Sequence, residues 1–96
     1  MRWMIYELAF LEPALKEWQE RDRNIRDQFK KQLAERLGNR HVPAAELSGA
    51  ANRYKIKLRS IGYRLVYEVR DEQLVVIAVA IGKRERNAVY KTAGNR

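Results

Sequence analysis

Polar and apolar positions alternate most cleanly between Arg53 and Val69. Tyr54, Ile56 and Leu58 are interleaved with Lys55, Lys57 and Arg59, the period of two that marks a half-buried strand. A turn at Ser60-Ile61 leads into a second strand from Tyr63 to Val69, and a turn at Asp71-Glu72 leads into a third. That third run, Leu74 to Ile81, is apolar on both faces, as a central strand would be. Upstream the period changes. Leu11, Ala14, Leu15 and Trp18 recur at helical spacing behind Pro13, which fits a first helical turn. Ile25, Phe29, Leu33 and Leu37 fall four apart, with Asn24 expected as N-cap and Gly38-Asn39 as the stop. Near the N-terminus, Trp3, Ile5 and Ala9 alternate with Met4, Tyr6, Leu8 and Phe10, so both faces are largely apolar and a strand inside a sheet is expected. Residues 40–52, with Pro43 and Gly49, read as a long connection, and the segment after Gly82 as a short, very basic helix. The predicted fold is α+β: an N-terminal strand, a helical hairpin, an antiparallel β-meander and a short C-terminal helix, in one domain spanning residues 1–96.

The predicted hairpin has a consequence for charge. With a two-residue turn at Ser60-Ile61, Lys57 lies directly across from Arg64, with both side chains on one face, and Lys55 shares that face two residues away. The apolar residues point the other way and anchor the register, because a slip by one would bury the cations. Like charges set opposite one another cost roughly 0.2–1 kcal/mol per pair. Val66 and Glu68 share the face further along, where Glu68 is expected to relieve part of the repulsion.

Composition sharpens this picture. Twenty Lys and Arg against twelve Asp and Glu give a net charge of +8, which favours a polyanionic partner, nucleic acid first. With no cysteine, disulfides and thiolate metal sites are excluded and a reducing cytoplasm is permitted. The longest apolar run is far below the ~20 residues that span a bilayer, and the start makes a poor signal peptide. We therefore expect a soluble protein that meets no membrane. His41 is the only histidine, in a polar loop with no carboxylates at ligand-like spacing, so it is expected to be a solvated surface residue and no metal or cofactor is implied. No serine or cysteine nucleophile arrangement, P-loop or dinucleotide fingerprint is present.

What remains is a cationic cluster with aromatics nearby, and more cations in "GKRER" straight after the central strand. Such a face suits a phosphodiester. Arg64 can hold nonbridging phosphate oxygens in a bidentate way. Lys57, crowded by positive charge, should have its pKa lowered, which fits it to act as a general base. In RNA the nucleophile is already in place as the 2′-hydroxyl, so cleavage needs a base, charge stabilisation on the phosphorane and a proton for the leaving 5′-oxygen. The residues thus point to a metal-independent ribonuclease, with a solvated strand face as the plainer alternative.

The stretches "ALKEW", "YKIKLRSIGYRLVYEV" and "VAIGKRERNAVY" together closely resemble the RelE toxins of bacterial type II toxin–antitoxin modules, from about Tyr6 to Tyr90. The resemblance implies a RelE-like microbial ribonuclease-type fold and an endoribonuclease that cuts mRNA in the ribosomal A site, leaving a 2′,3′-cyclic phosphate. It also implies the RelE branch, whose site is basic rather than built on histidine and glutamate. Carried over by position, the catalytic set is Lys55, Lys57, Arg64, Arg84 and Tyr90. Lys57 resembles the general base, Lys55 and Arg64 the stabilisers of transition-state charge, Arg84 the family's proposed acid, and Tyr90 a residue that orients or stacks on substrate. The last two rest on resemblance, since strand parity does not place Arg84 beyond Gly82 and Tyr90 alone reads as helix packing.

The same resemblance implies ribosomal partners for the remaining cations. Arg26, Lys30, Lys31 and Arg36 on the second helix, with Lys83 and Arg86, are candidates for RNA phosphates. It implies a RelB-like antitoxin, operator DNA bound only through that antitoxin, and a cytoplasmic location. Two other readings stay open: a noncatalytic ribosome-binding inhibitor, and a gyrase poison of the related ParE branch.

Overall fold

A computed structural model describes residues 6–85 and 87–96, so Met1 to Ile5 of the expected first strand and the candidate Arg86 lie outside the described residues. In chain order the elements are β1 (Glu7–Phe10), α1 (Glu12–Gln19), α2 (Arg23–Gly38), β2 (Arg53–Leu58), β3 (Tyr63–Arg70), β4 (Val75–Lys83) and α3 (Ala88–Gly94). The four strands form one sheet in the order β1-β4-β3-β2. β2, β3 and β4 make the expected antiparallel meander, and β1 joins parallel to β4.

The sheet is covered on two sides. On one face Ile25, Phe29 and Leu33 of α2 pack with Tyr54, Ile56, Leu58, Leu65 and Tyr67. This is the four-residue spacing of the sequence turned into a buried stripe. On the other face α3 sets Val89 and Ala93 against Val66, Val79 and Ala80. A bulge between Val66 and Tyr67 in the β3–β4 ladder restarts the alternation, which is how Val79 and Ala80 both join this smaller cluster.

Several expectations need correction. β1 is an edge strand rather than an internal one, and Leu8 stays exposed. Its apolar character is used at the end, where Phe10 meets Trp18 with ring centroids 5.2 Å apart. α2 starts earlier than expected, with Asp22 rather than Asn24 at the N-cap. The Asn24 side chain instead accepts a hydrogen bond from Gln28 Nε2 one turn on, at 3.4 Å. The hairpin turn spans four residues, Arg59 to Gly62, but keeps the expected register. Gly62 adopts φ +68°, a left-handed conformation that glycine takes without a Cβ penalty, and its N–H closes the turn onto the Leu58 carbonyl at 2.9 Å. The C-terminal helix begins only at Ala88. Lys83 still belongs to β4, so most of the basic run lies at a strand end and in a loop, and Lys91 is the one basic residue within the helix.

His41 is an exposed loop residue, as expected, but both of its ring nitrogens are engaged. Its Nδ1 lies 2.7 Å from the Tyr54 hydroxyl and its Nε2 2.9 Å from Asp71 Oδ2. Asp71 also accepts a hydrogen bond from the Tyr6 hydroxyl, and Tyr6 in turn lies 3.6 Å beneath the Arg40 guanidinium. The connection after α2 is thereby fastened to the β3–β4 turn and to the start of β1. Phe29 is fully buried whereas Leu15 is exposed. Urea unfolding should therefore show a loss of about 3–5 kcal/mol for Phe29→Ala and a change within about 0.5 kcal/mol for Leu15→Ala.

Candidate active site

The β2–β3 pairing sets Lys57 opposite Arg64 and Lys55 opposite Val66, as the alternation requires. On the third strand Gly82 lies opposite Arg64. The ladder runs one rung past β4, where the Arg84 N–H donates to the Gly62 carbonyl at 2.6 Å. Arg84 therefore sits two residues beyond Gly82 at the same end of the sheet. Lys57, Arg64 and Arg84 line a single open cleft of about 320 Å³, together with Arg59, Gly62 and Tyr63. Strand parity did not place Arg84 from the sequence, because what the sequence hid was that β4 continues through Lys83 and the ladder on to Arg84.

Tyr90 is brought to this face by α3. Its ring centroid lies 5.1 Å from Arg64 Cζ and 5.9 Å from Lys55 Nζ, so one aromatic ring serves two of the crowded cations. Gly82 eases the approach: a Cβ there would meet Val89 Cγ2 of α3 at a tight 3.1 Å. The tyrosine is half-buried against the smaller apolar cluster, and its hydroxyl takes no hydrogen-bond partner among the described residues. Tyr90 is thus both helix packing and a neighbour of the cationic face. Asn87, just before α3, accepts a hydrogen bond from Arg64 Nη1 at 3.3 Å and was not foreseen; its side chain and left-handed backbone (φ 62°) follow from the loop rather than from any periodicity.

The expected relief from Glu68 does not occur. Its carboxylate accepts from Arg53 Nε at 2.9 Å and from Arg70 Nε at 2.6 Å, and these bonds hold its pKa below the usual carboxylate range against the burial that would raise it. It does not pair with Lys55, Lys57 or Arg64. Lys57 consequently has its pKa lowered, first by the charge of Lys55, then by desolvation and by Arg64, Arg59 and Arg84.

The remaining cations divide by surroundings. Lys30, Lys31 and Lys83 are exposed and Arg26 is half-exposed, free to meet a polyanion. Arg36 is spent within the fold: its Nη1 donates to the Tyr67 hydroxyl at 3.0 Å and to the Lys55 carbonyl at 3.4 Å. It supports the strand that carries the lysines. Among the described residues no group of three histidine, aspartate or glutamate side chains could hold a metal ion, and no helix is long and apolar enough to cross a membrane.

Comparison with known proteins gives a consistent neighbourhood. Residues 8–88 match the family described as ParE toxin of type II toxin-antitoxin system, parDE. The mRNA interferase toxin RelE of Escherichia coli strain K12 is 50% identical over 93 residues, covering 97% of this chain and 98% of that one. A mutant E. coli toxin RelE in the free state superposes with a TM-score of 0.88 at 48% identity, over 97% of this chain and 98% of the other. The toxin chain of the intact E. coli RelBE toxin-antitoxin complex gives 0.80 at 51% identity, over 84% of this chain and 99% of that one.

The geometry carries a stability consequence. Lys57 has a folded-state pKa below its unfolded one, so its protonated form destabilises the fold. Lys57→Gln should therefore raise the thermal unfolding midpoint at neutral pH. The gain should be complete below the folded-state pKa of Lys57 and fade as pH climbs to the ordinary lysine value. A melting series against pH on both proteins checks it.

Proposed function

The chain belongs to the RelE family of toxins from bacterial type II toxin–antitoxin modules, and from that premise we propose that it is an endoribonuclease that cuts mRNA in the ribosomal A site and so inhibits translation. The observation that carries this reading is the convergence of Lys57, Arg64 and Arg84 on one cleft, with Lys55 and Tyr90 beside it. Among the described residues no carboxylate lines that cleft, as suits a site for a phosphodiester rather than for a cation.

In this mechanism Lys57, in its neutral form, takes the proton from the 2′-hydroxyl. The 2′-oxygen attacks the adjacent phosphorus, the bond to the 5′-oxygen breaks, and the leaving oxygen takes a proton from solvent water while Lys57 later returns its own, so the products are a 2′,3′-cyclic phosphate and a 5′-hydroxyl. Arg64 and Lys55 stabilise the charge that grows on the equatorial oxygens. Arg84 clamps the phosphate at the leaving side. A guanidinium with a pKa above ~12 is a reluctant acid, so its contribution is charge and geometry. Tyr90 orients the substrate against the cationic face. The step is metal-independent, since the charge a metal would supply comes from the side chains.

Arg26, Lys30, Lys31 and Lys83 extend the positive surface towards rRNA phosphates, with a contribution that falls steeply with salt. Arg36 is left out of this contact set because its guanidinium is already engaged. A RelB-like antitoxin with an acidic wrapping segment is the natural neutralising partner, and operator DNA is met only through it, in the cytoplasm. The RelBE complex among the similar structures supports that partner. A ParE-like gyrase poison would share the fold but has no use for a complete basic catalytic set.

Primer extension on mRNA held in translating ribosomes tests this, with naked RNA beside it in the presence and absence of EDTA. A cut within the A-site codon is expected only with ribosomes, and weaker by about 10²–10⁴-fold in Lys57→Ala and lower also in Arg84→Ala. The cleavage rate should rise with pH up to the Lys57 pKa, and Lys55→Gln should move that rise to higher pH. Arrest of translation with the message intact would instead identify a noncatalytic ribosome-binding inhibitor.

A further inference from the structure

β4 is longer than the strand beside it. β1 ends at Phe10, and the last backbone rung on that side is the Leu11 N–H to the Ala78 carbonyl at 3.0 Å. Beyond it the edge of β4 would present unpaired backbone groups, and two side chains take the place of a strand. Glu17 of α1 accepts from the Ile81 N–H at 3.1 Å, and Arg96 donates to the Val79 carbonyl at 2.9 Å. The two side chains also bind each other through both carboxylate oxygens, at 2.9 and 3.0 Å. The result is one polar unit tying α1, β4 and the residue two positions after α3.

This unit has a neighbour at the same helix end. Arg53, itself held by Glu68, donates from Nη1 to the Ala93 carbonyl in the last turn of α3. α3 has seven residues, too few to be a stable helix by itself, so its position depends on what fastens it. A mostly buried ion pair adds little net stability over an apolar contact of the same size, but it fixes geometry, because an alternative placement would leave a charge unpaired. α3 contributes the Tyr90 ring to the cationic face.

We propose that Glu17 and Arg96 are positioning residues of the ribonuclease site: their pair fixes the C-terminal end of α3 against α1 and the free edge of β4, and so holds the Tyr90 ring against Lys55 and Arg64. The inference rests on the reading of that face as the site of RNA cleavage. It assigns a role in the reaction to two side chains that touch neither substrate nor the cationic cluster. Arg96→Lys should keep only part of this function, since a point charge does not reproduce the two-pronged contact together with the bond to Val79.

The test is a double-mutant cycle on the full chain. Single-turnover cleavage of ribosome-bound mRNA would be measured for wild type, Arg96→Ala, Tyr90→Ala and the double variant, with Arg96→Lys and Glu17→Gln alongside. Hydrogen exchange at the α3 amides would be followed in the same proteins. Arg96→Ala should speed exchange in α3 by about 10-fold or more and slow cleavage by roughly 10–100-fold, with KM changed less than kcat. In the Tyr90→Ala background the same substitution should cost less than about 3-fold, because its effect passes through the missing ring. Equal losses in both backgrounds, or faster exchange with an unchanged rate, would overturn the proposal. A wild-type protein that cuts nothing would remove the ribonuclease reading beneath it, an outcome separate from additive losses in an active enzyme.

Discussion

Mutual repulsion between Lys55, Lys57, Arg64 and Arg84 is the constraint around which the rest of this small fold is arranged. On the hairpin no acid stands between Lys55 and Arg64, and the carboxylate further along the face, Glu68, is occupied by Arg53 and Arg70. The charges stay together because the opposite face of the same two strands is the main core. Tyr54, Ile56, Leu58 and Leu65 are buried against α2, and a one-residue slip that separated Lys57 from Arg64 would expose the apolar side chains of the slipped strand. Apolar burial on one side thus holds an electrostatic strain on the other. A polyanionic substrate relieves that strain by binding, while repulsion keeps a lysine closer to its neutral form beforehand.

The second face of the sheet completes the arrangement. Gly82 clears room for Val89, α3 settles onto Val66 and Val79, and Tyr90 arrives over two of the cations. The fastenings of this short helix come from distant parts of the chain: Arg53 from the first meander strand, Glu17 from the first helix, Arg96 from beyond the helix itself. Polar side chains replace missing strand pairing at the β4 edge. An edge closed in this way is also protected against pairing with another chain.

Much of this was legible in the sequence where a period carried it. The alternation around Lys57 fixed both the core face and the pairing with Arg64, and the four-residue spacing of α2 marked Ile25, Phe29 and Leu33. Periodicity fails where conformation depends on a partner far along the chain. The edge placement of β1 follows from its parallel pairing with β4, which no local pattern announces. Arg84 was hidden because the strand persists past Gly82, and Asn87 because its backbone is a loop conformation. The exposure of His41 was legible but its two partners were not, because Tyr54 and Asp71 lie 13 and 30 residues away. The basic run after Gly82 read as helix from composition, whereas hydrogen bonding to Gly62 keeps its first part extended.

The central claim is that charge crowding on the hairpin tunes Lys57 for proton transfer. The most direct measurement is an NMR pH titration of the Lys57 side-chain amine in the wild-type protein and in Lys55→Gln. The account requires a midpoint below the ordinary lysine value, moving upward when the Lys55 charge, its largest cause, is removed. A midpoint at the ordinary value, unmoved by that substitution, would contradict it.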